Sequence, residues 1–230
     1  MADAAFKDLV IDATDGATLA AFWSAALGLR SRPAGDSATD FVLEDDDPLH
    51  TVWINTVPEP RTVKQRVHLD VHATVEELEA LGATADTARE SWVVMRDPEG
   101  GELCAFPDGV AEAGVYRPYA LVVDSADAAA AAAWWGRCLG LEPQEVEDRG
   151  WYRIGPGGSL PFQMLFIPVP EPKTVKNRIH WDVIGDTGTL LDVGATLVTP
   201  REDADDPHVF WDVLADPEGN EFCVFAPDED

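Results

Sequence analysis

The sequence predicts an α+β protein made of two tandem copies, each dividing into two smaller units of strand, helix and up to three further strands. Two observations carry this. Val57-Pro-Glu-Pro-Arg-Thr-Val-Lys-Gln-Arg-Val-His-Leu-Asp-Val71 returns as Val169-Pro-Glu-Pro-Lys-Thr-Val-Lys-Asn-Arg-Ile-His-Trp-Asp-Val183, a shift of 180 − 68 = 112 residues. At that shift Trp23, Leu27, Gly28 and Leu29 meet Trp135, Leu139, Gly140 and Leu141. Near the ends, Asp97-Pro-Glu-Gly100 meets Asp216-Pro-Glu-Gly219 at a shift of 216 − 97 = 119, so the second copy carries 119 − 112 = 7 extra residues, around Arg201 to Pro207. Such a period is too long for a solenoid and suits two domains. The second observation is that the order of elements restarts midway through each copy.

Taken in order, Asp8 to Ala13 is predicted as a strand, and Asp15 as the N-cap of an apolar helix. Phe22, Trp23, Ala26 and Leu27 fall on the buried side of that helix, and Gly28 closes it. Two or three strands follow, about Asp40 to Leu43 and His50 to Val57. Val67 to Val71 restarts the order as a strand. Thr74-Val-Glu-Glu77 forms a capping box opening a short helix with Val75, Leu78 and Leu81 inward, ended by Gly82. Trp92 to Met95 and Leu103 to Phe106 are strands joined by the turn Asp97-Pro-Glu-Gly100. The second copy repeats the plan, its first helix being the alanine run Ala128 to Ala133 with Trp134-Trp135 and a closing Gly140. Pro107 to Arg117 is the expected linker, which sets domains at 1–107 and 118–230 with 108–117 between them.

Composition narrows the partners. The 230 residues are 46% hydrophobic, enough for a sizeable core, and 43 acidic against 16 basic side chains give a net charge of −27. Such a surface repels phosphate backbones and anionic lipid, so neither nucleic acid nor membrane is expected as a partner. The charge lies in short clusters, Glu44 to Asp47 and Asp203 to Asp206, that suit solvated loops. Cys104, Cys138 and Cys223 make an odd count without a pairing pattern, and the N-terminus has no basic-then-apolar leader. A cytoplasmic protein, monomer or homodimer, with a small-molecule ligand is the expectation.

The segments Phe22-Trp23 with Leu27-Gly28-Leu29, Lys64-x-Arg66-x-His68-x-Asp70, Leu81-Gly-Ala83 and Asp97-Pro-Glu-Gly100 with Cys104 resemble the glyoxalase/bleomycin-resistance/dioxygenase family of the vicinal oxygen chelate superfamily. The resemblance implies tandem glyoxalase-type domains, each of two paired βαβββ units whose curled mixed sheets enclose a cup. It also implies a metal held by His or Gln on the first strand, His on the fifth and Glu on the last. Those positions fall on Asp8, His68 and Cys104 in the first copy, and on Ala120, His180 and Cys223 in the second. Only the histidine keeps the family's usual residue. No metal is therefore favoured; an Asp8/His68/Cys104 trio in the first domain would suit zinc, because thiolate is a soft ligand.

Strand parity places Arg66, His68 and Asp70 on one face, and Glu102, Cys104 and Phe106 on one face. His68 and His180 are either core residues or ligand-facing acid–base groups. Lys64, Arg66, Lys176 and Arg178 either pair with Asp70 and Asp182 or draw an anion to the cup mouth. Cys104 and Cys223 are either small buried hydrophobes or ligands. Trp23 and Trp135 belong to the core, while Trp53, Trp92, Trp151, Trp181 and Trp211 include candidates for an aromatic cup wall suited to a flat organic molecule. Gln163 stands where the first copy has Thr51, so the cups differ. The candidate site is thus His68 and His180 with Asp8, Trp53, Arg66, Trp92, Cys104, Gln163, Arg178, Trp211 and Cys223. Two functions compete: a small-molecule binding protein for an aromatic natural product or drug, without a conventional metal site, or a metal-dependent lyase, isomerase, epimerase or dioxygenase. The nucleotide, redox and metalloprotease motifs G-x-x-x-x-G-K-[ST], G-x-G-x-x-G, C-x-x-C and H-E-x-x-H do not occur.

Overall fold

A computed structural model describes residues 2–107, 114–146, 149–203 and 209–227. The first unit runs β1 (Ala4–Ala13), α1 (Gly16–Leu27), β2 (Arg30–Pro33), β3 (Phe41–Glu44) and β4 (Val52–Thr56). The second runs β5 (Val67–Val71), α2 (Val75–Ala80), β6 (Thr84–Ala88), β7 (Val93–Arg96) and β8 (Glu102–Ala105). The third runs β9 (Pro118–Ser125), α3 (Ala128–Leu139), β10 (Gln144–Val146), β11 (Trp151–Ile154) and β12 (Gln163–Pro168). The fourth runs β13 (Ile179–Gly185), α4 (Thr187–Asp192), β14 (Thr196–Thr199), β15 (Asp212–Ala215) and β16 (Glu221–Phe225).

Local chemistry sets the helix ends as the sequence predicts. The Asp15 side chain accepts from the Thr18 amide, and Gly28 takes the left-handed conformation at φ 75°. A Cβ on Gly28 would also lie 2.2 Å from the Val115 carbonyl oxygen, so glycine is required there twice over. Thr74 and Glu77 form the reciprocal capping box of α2. Leu78 is fully buried, but Leu81 is an exception to the expected inward face: the helix stops at Ala80 and Leu81 is 36% exposed. Three strands run further than or beyond the pattern. The first begins at Ala4 rather than Asp8, and β2 and β6 lie at sheet edges with mostly exposed side chains. Arg30-Ser-Arg-Pro33 and Thr84-Ala-Asp-Thr-Ala88 lack apolar alternation, which is why periodicity passes over them.

The four units form two eight-stranded mixed sheets, with orders β14-β15-β16-β13-β1-β4-β3-β2 and β10-β11-β12-β9-β5-β8-β7-β6. Both are built from pairs of βαβββ units, but the pairing is crosswise. The first unit joins the fourth through antiparallel β1–β13, and the second joins the third through antiparallel β5–β9. The implied arrangement, in which each copy closes its own cup, is corrected by this: each sheet takes one unit from each copy. The larger apolar core, containing Trp23, Trp135, Trp181, Phe22, Phe166 and Phe222, draws on both sheets. Of the linker, 108–113 lies outside the described residues, as do 204–208 in the extra segment and acidic cluster of the second copy. By Arg117 the chain is packed again, its amide donating to Leu27 O at 3.1 Å and its guanidinium to Ala25 O at 2.8 Å.

Candidate functional site: two unequal cups

Alternation along β5 sends Val67, Leu69 and Val71 into the core and His68 and Asp70 to the opposite face. The same alternation along β8 brings Cys104 beside them. His68 Nε2 lies 3.4 Å from Asp70 Oδ1 and 3.8 Å from Cys104 Sγ. His68 Nδ1 and Asp70 Oδ1 are buried with no hydrogen-bond partner among the described residues. Across the seam, Asp70 faces Ala120 on β9, and Ala120, Val122 and Leu165 form an apolar floor with Tyr119, Val146, Trp151 and Ile167 packed against it. The floor of this cup is therefore polar on the β5–β8 side and apolar on the β9–β12 side. Above the floor is an open cavity of about 750 Å³, into which His68, Asp70, Cys104, Trp92, Gln163 and Trp151 face. One wall is a stacked aromatic row: Trp92 on Phe106 with centroids 5.8 Å apart, and Phe106 on Tyr119 at 4.2 Å.

The other sheet carries the corresponding cluster, and there the donor set is richer. His180 and Asp182 on β13 lie with Cys223 on β16, their ligating atoms within 4.8 Å of one another, and all three residues are buried. Asp8 on β1 stands opposite Asp182 in the strand register. Asp8 Oδ2 accepts from Lys7 Nζ at 2.5 Å and from Trp53 Nε1 at 3.0 Å, while its Oδ1 and that of Asp182 are buried without partners among the described residues. Trp211 stacks on Phe225 at 5.2 Å, and Lys7 Nζ sits 4.2 Å over the Phe225 ring.

Burial governs the electrostatics of both clusters. It pushes the thiols of Cys104 and Cys223 far above the ordinary thiol range, and the neighbouring Asp70 and Asp182 carboxylates push the same way. Both cysteines are thus protonated in the metal-free protein. Burial drives His180 down to about 3, with the Lys176 ammonium adding to it. It raises Asp182 well above the ordinary carboxyl value, and the Asp8 carboxylate reinforces this.

The crosswise pairing redistributes the expected site residues. Asp8, His68 and Cys104 are not a trio, because Asp8 lies in the sheet of His180, Cys223, Trp53 and Trp211. The cup of His68, Trp92, Cys104 and Gln163 receives Ala120 instead. Asp70 and Asp182, expected as partners of the basic segments, are cup residues. Lys64 and Lys176 pair instead with Asp124 at 2.5 Å and Asp12 at 2.6 Å, each across the copies. Arg66 and Arg178 are not at a cup mouth. Arg66 donates to the Glu171 carbonyl and, at 2.9 Å, to Asp124 O. Arg178 donates to the Glu59 carbonyl at 2.5 Å. Both line a separate cleft of about 580 Å³ between residues 57–66 and 175–178. Sequence reasoning missed Asp70 and Asp182 as site residues, although parity with the histidines marked them. It also missed Arg89 of the second unit, and Tyr119 and Arg153, which enter the cup only because the third unit joins the second.

Either cluster offers His, Asp and Cys donors that fit a borderline divalent ion such as zinc. Among the described residues no helix is long and apolar enough to cross a membrane. The sequence matches the family described as glyoxalase-like domain over residues 8–106 and again over 120–225. A search of curated proteins finds no match. Among solved structures, glyoxalase I from Zea mays superposes with a TM-score of 0.66 at 10% identity, covering 96% of this chain and 92% of that one. A Bacillus subtilis protein with an inferred dioxygenase assignment gives a TM-score of 0.63 at 14% identity, over 98% of this chain and 86% of that one. Two family matches that together span most of the sequence, on two sheets of paired βαβββ units, make this chain a member of the glyoxalase-like domain family of the vicinal oxygen chelate superfamily.

Proposed function

We propose that the chain is a small-molecule binding protein of the glyoxalase/bleomycin-resistance type, and that the cup of His68, Asp70 and Cys104 is its ligand site. The observation that carries this reading is the open cavity of about 750 Å³ with the stacked Trp92–Phe106–Tyr119 wall. Its size falls in the range of pockets that bury drug-sized molecules, and its mix of aromatic wall and few convergent polar groups is what such ligands need. Ala120 and Leu165 give the cup an apolar floor where an oxygen-rich metal site would need donors. The test is a thermal-shift screen of flat aromatic natural products and drugs against the wild type and two variants, Trp92→Ala and Leu165→Trp. Ligands whose stabilisation disappears in both variants support the reading, since binding to the native state raises apparent stability. Hits indifferent to both variants, or a screen without hits, would overturn it.

The second reading is a metal-dependent lyase, isomerase or dioxygenase, favoured by the clustering of His68, Asp70 and Cys104 within 4.8 Å. Those three residues would hold the ion, which when bound supplies Lewis-acid polarisation of a substrate oxygen. In that case Asp70 and the Cys104 thiolate would carry the negative charge of the set, and the apolar floor would orient the rest of the substrate. Metal analysis of the chelator-stripped protein after zinc titration decides it. Stoichiometric zinc lost in both His68→Ala and Cys104→Ser favours this reading; no uptake leaves the binding reading alone.

A further inference from the structure

The ligand cup is basic in an acidic protein. Its lining takes five of the sixteen lysines and arginines, Lys64, Arg89, Arg96, Arg149 and Arg153, but only four of the forty-three acidic residues. Each of those four acids has a basic neighbour. Asp86 and Glu102 pair with Arg96 at 2.7 and 3.0 Å, Asp124 with Lys64 at 2.5 Å, and Asp70 faces His68 at 3.4 Å. Among the described residues Arg89 has no side-chain partner, and Arg153 bonds only the neutral amide of Gln144, at 3.1 and 3.3 Å. Arg89 follows β6 on one side of the cup and Arg153 lies on β11 on the other, so uncompensated guanidinium charge flanks the cavity from both units.

We infer that the cup selects planar aromatic anions: the rings lie along the Trp92–Phe106–Tyr119 wall, and a carboxylate, sulfonate or phosphate on the ring system is met by Arg89 and Arg153. The inference rests on the binding reading above and adds the charge of the ligand. Guanidinium groups give charge-assisted hydrogen bonds to such acids in a fork geometry, and the adjoining aromatic wall makes them close to a ring-bound acid group. A neutral analogue keeps the stacking and loses those bonds. A cationic one adds repulsion.

Two probes with one ring system separate the ideas: 1-anilinonaphthalene-8-sulfonate, which is anionic, and N-phenyl-1-naphthylamine, which lacks the sulfonate. Fluorescence titration of the full chain should show the sulfonate binding at least tenfold more tightly than the neutral amine. Arg89→Gln with Arg153→Gln, both at exposed positions, should erase that preference and leave neutral-probe binding unchanged. Trp92→Ala should weaken both probes. Equal affinity for the two probes in the wild type, or a preference that survives the double substitution, would overturn the charge inference while the binding reading stands. Binding of both probes that is indifferent to Trp92→Ala, or binding of neither, would sink the cup reading and this inference together.

Discussion

Asp8 and Asp182 face one another across the β1–β13 seam, although one belongs to the first copy and the other to the second. Lys7 and Trp53 both donate to Asp8 Oδ2. Burial, and then Asp8, hold the Asp182 carboxyl well above its ordinary value, which favours the protonated form of Asp182. Asp182→Asn should therefore be tolerated at pH 7, within about 1 kcal/mol of the wild type, because the amide is shaped like the neutral acid. Asp8→Asn should cost about 1–3 kcal/mol by weakening the shared acceptor of two half-buried donors, Lys7 and Trp53. A folded-state value above the unfolded one means that the native state keeps a proton which the unfolded chain has released. The stability from this group is thus full below about pH 4 and lost as pH rises. Urea unfolding at several pH values checks both points: Asp182→Asn should flatten that decline. An equal loss in the two variants would refute the assignment of the proton.

Crosswise pairing makes each cup a joint product of the two copies. A fragment ending within 108–113 contains the first and second units without either central partner strand, since β1 needs β13 and β5 needs β9. Each half expressed alone should lack cooperative unfolding as a monomer. The two halves produced together should copurify one to one and recover the wild-type melting profile. A half that folds by itself as a stable monomer would contradict the central role of these seams.

Most of the fold was legible before any coordinates, because duplication doubles every signal. The helix caps at Asp15 and Gly28, the capping box at Thr74 and the buried Trp23 and Trp135 follow from spacing alone. Parity grouped His68 with Asp70, and Glu102 with Cys104 and Phe106, and all five line the cavity, whereas Arg66, grouped with His68 by the same parity, lines the separate cleft. What a linear sequence does not encode is which unit joins which. The repeats are alike, so β1 would find a plausible antiparallel partner in β5 or in β13, and only three-dimensional packing selects β13. That one choice moves Asp8 out of the His68 cluster and puts Ala120 in its place. The roles of Arg66 and Arg178 were hidden for the same reason, since the Glu171 and Glu59 carbonyls they hold lie more than 100 residues away.

Arg66 and Arg178 are reciprocal clamps, each holding the Pro-Glu-Pro turn of the other copy by its main-chain carbonyl. Hydrogen bonds from charged donors are worth about 1.5–3 kcal/mol each. Arg66→Ala and Arg178→Ala should each lower stability by about that amount in urea melts, and together by roughly the sum, because the clamps hold different turns. Affinity of the His68 cup for an aromatic probe should stay within about twofold, since a change of that size is only about 0.4 kcal/mol. A large loss of probe affinity with little loss of stability would return these arginines to the ligand site.

His180 and Asp97 bend the acid limb of the stability curve in opposite directions. Burial, helped by Lys176, depresses His180 from 6.5 to about 3. The unfolded chain takes up that proton first, so the stability it contributes is present above pH 6.5 and lost as pH falls toward 3. Burial raises Asp97 from 3.8 to about 6, against the hydrogen bonds its carboxylate accepts from the Gly101 and Glu99 amides. Its contribution is full below about pH 4 and lost as pH rises through 6. Between pH 4 and 6 the two therefore offset one another, and single substitutions should expose each. Relative to the wild type, His180→Gln should gain stability on going from pH 7 to pH 4, on the order of a few kcal/mol for a shift of this size. Asp97→Asn, which keeps an acceptor oxygen for the turn, should do the reverse and lose on the same scale. Denaturant midpoints at pH 4, 5, 6 and 7 measure both slopes, and parallel curves for the wild type and His180→Gln would show that His180 titrates normally.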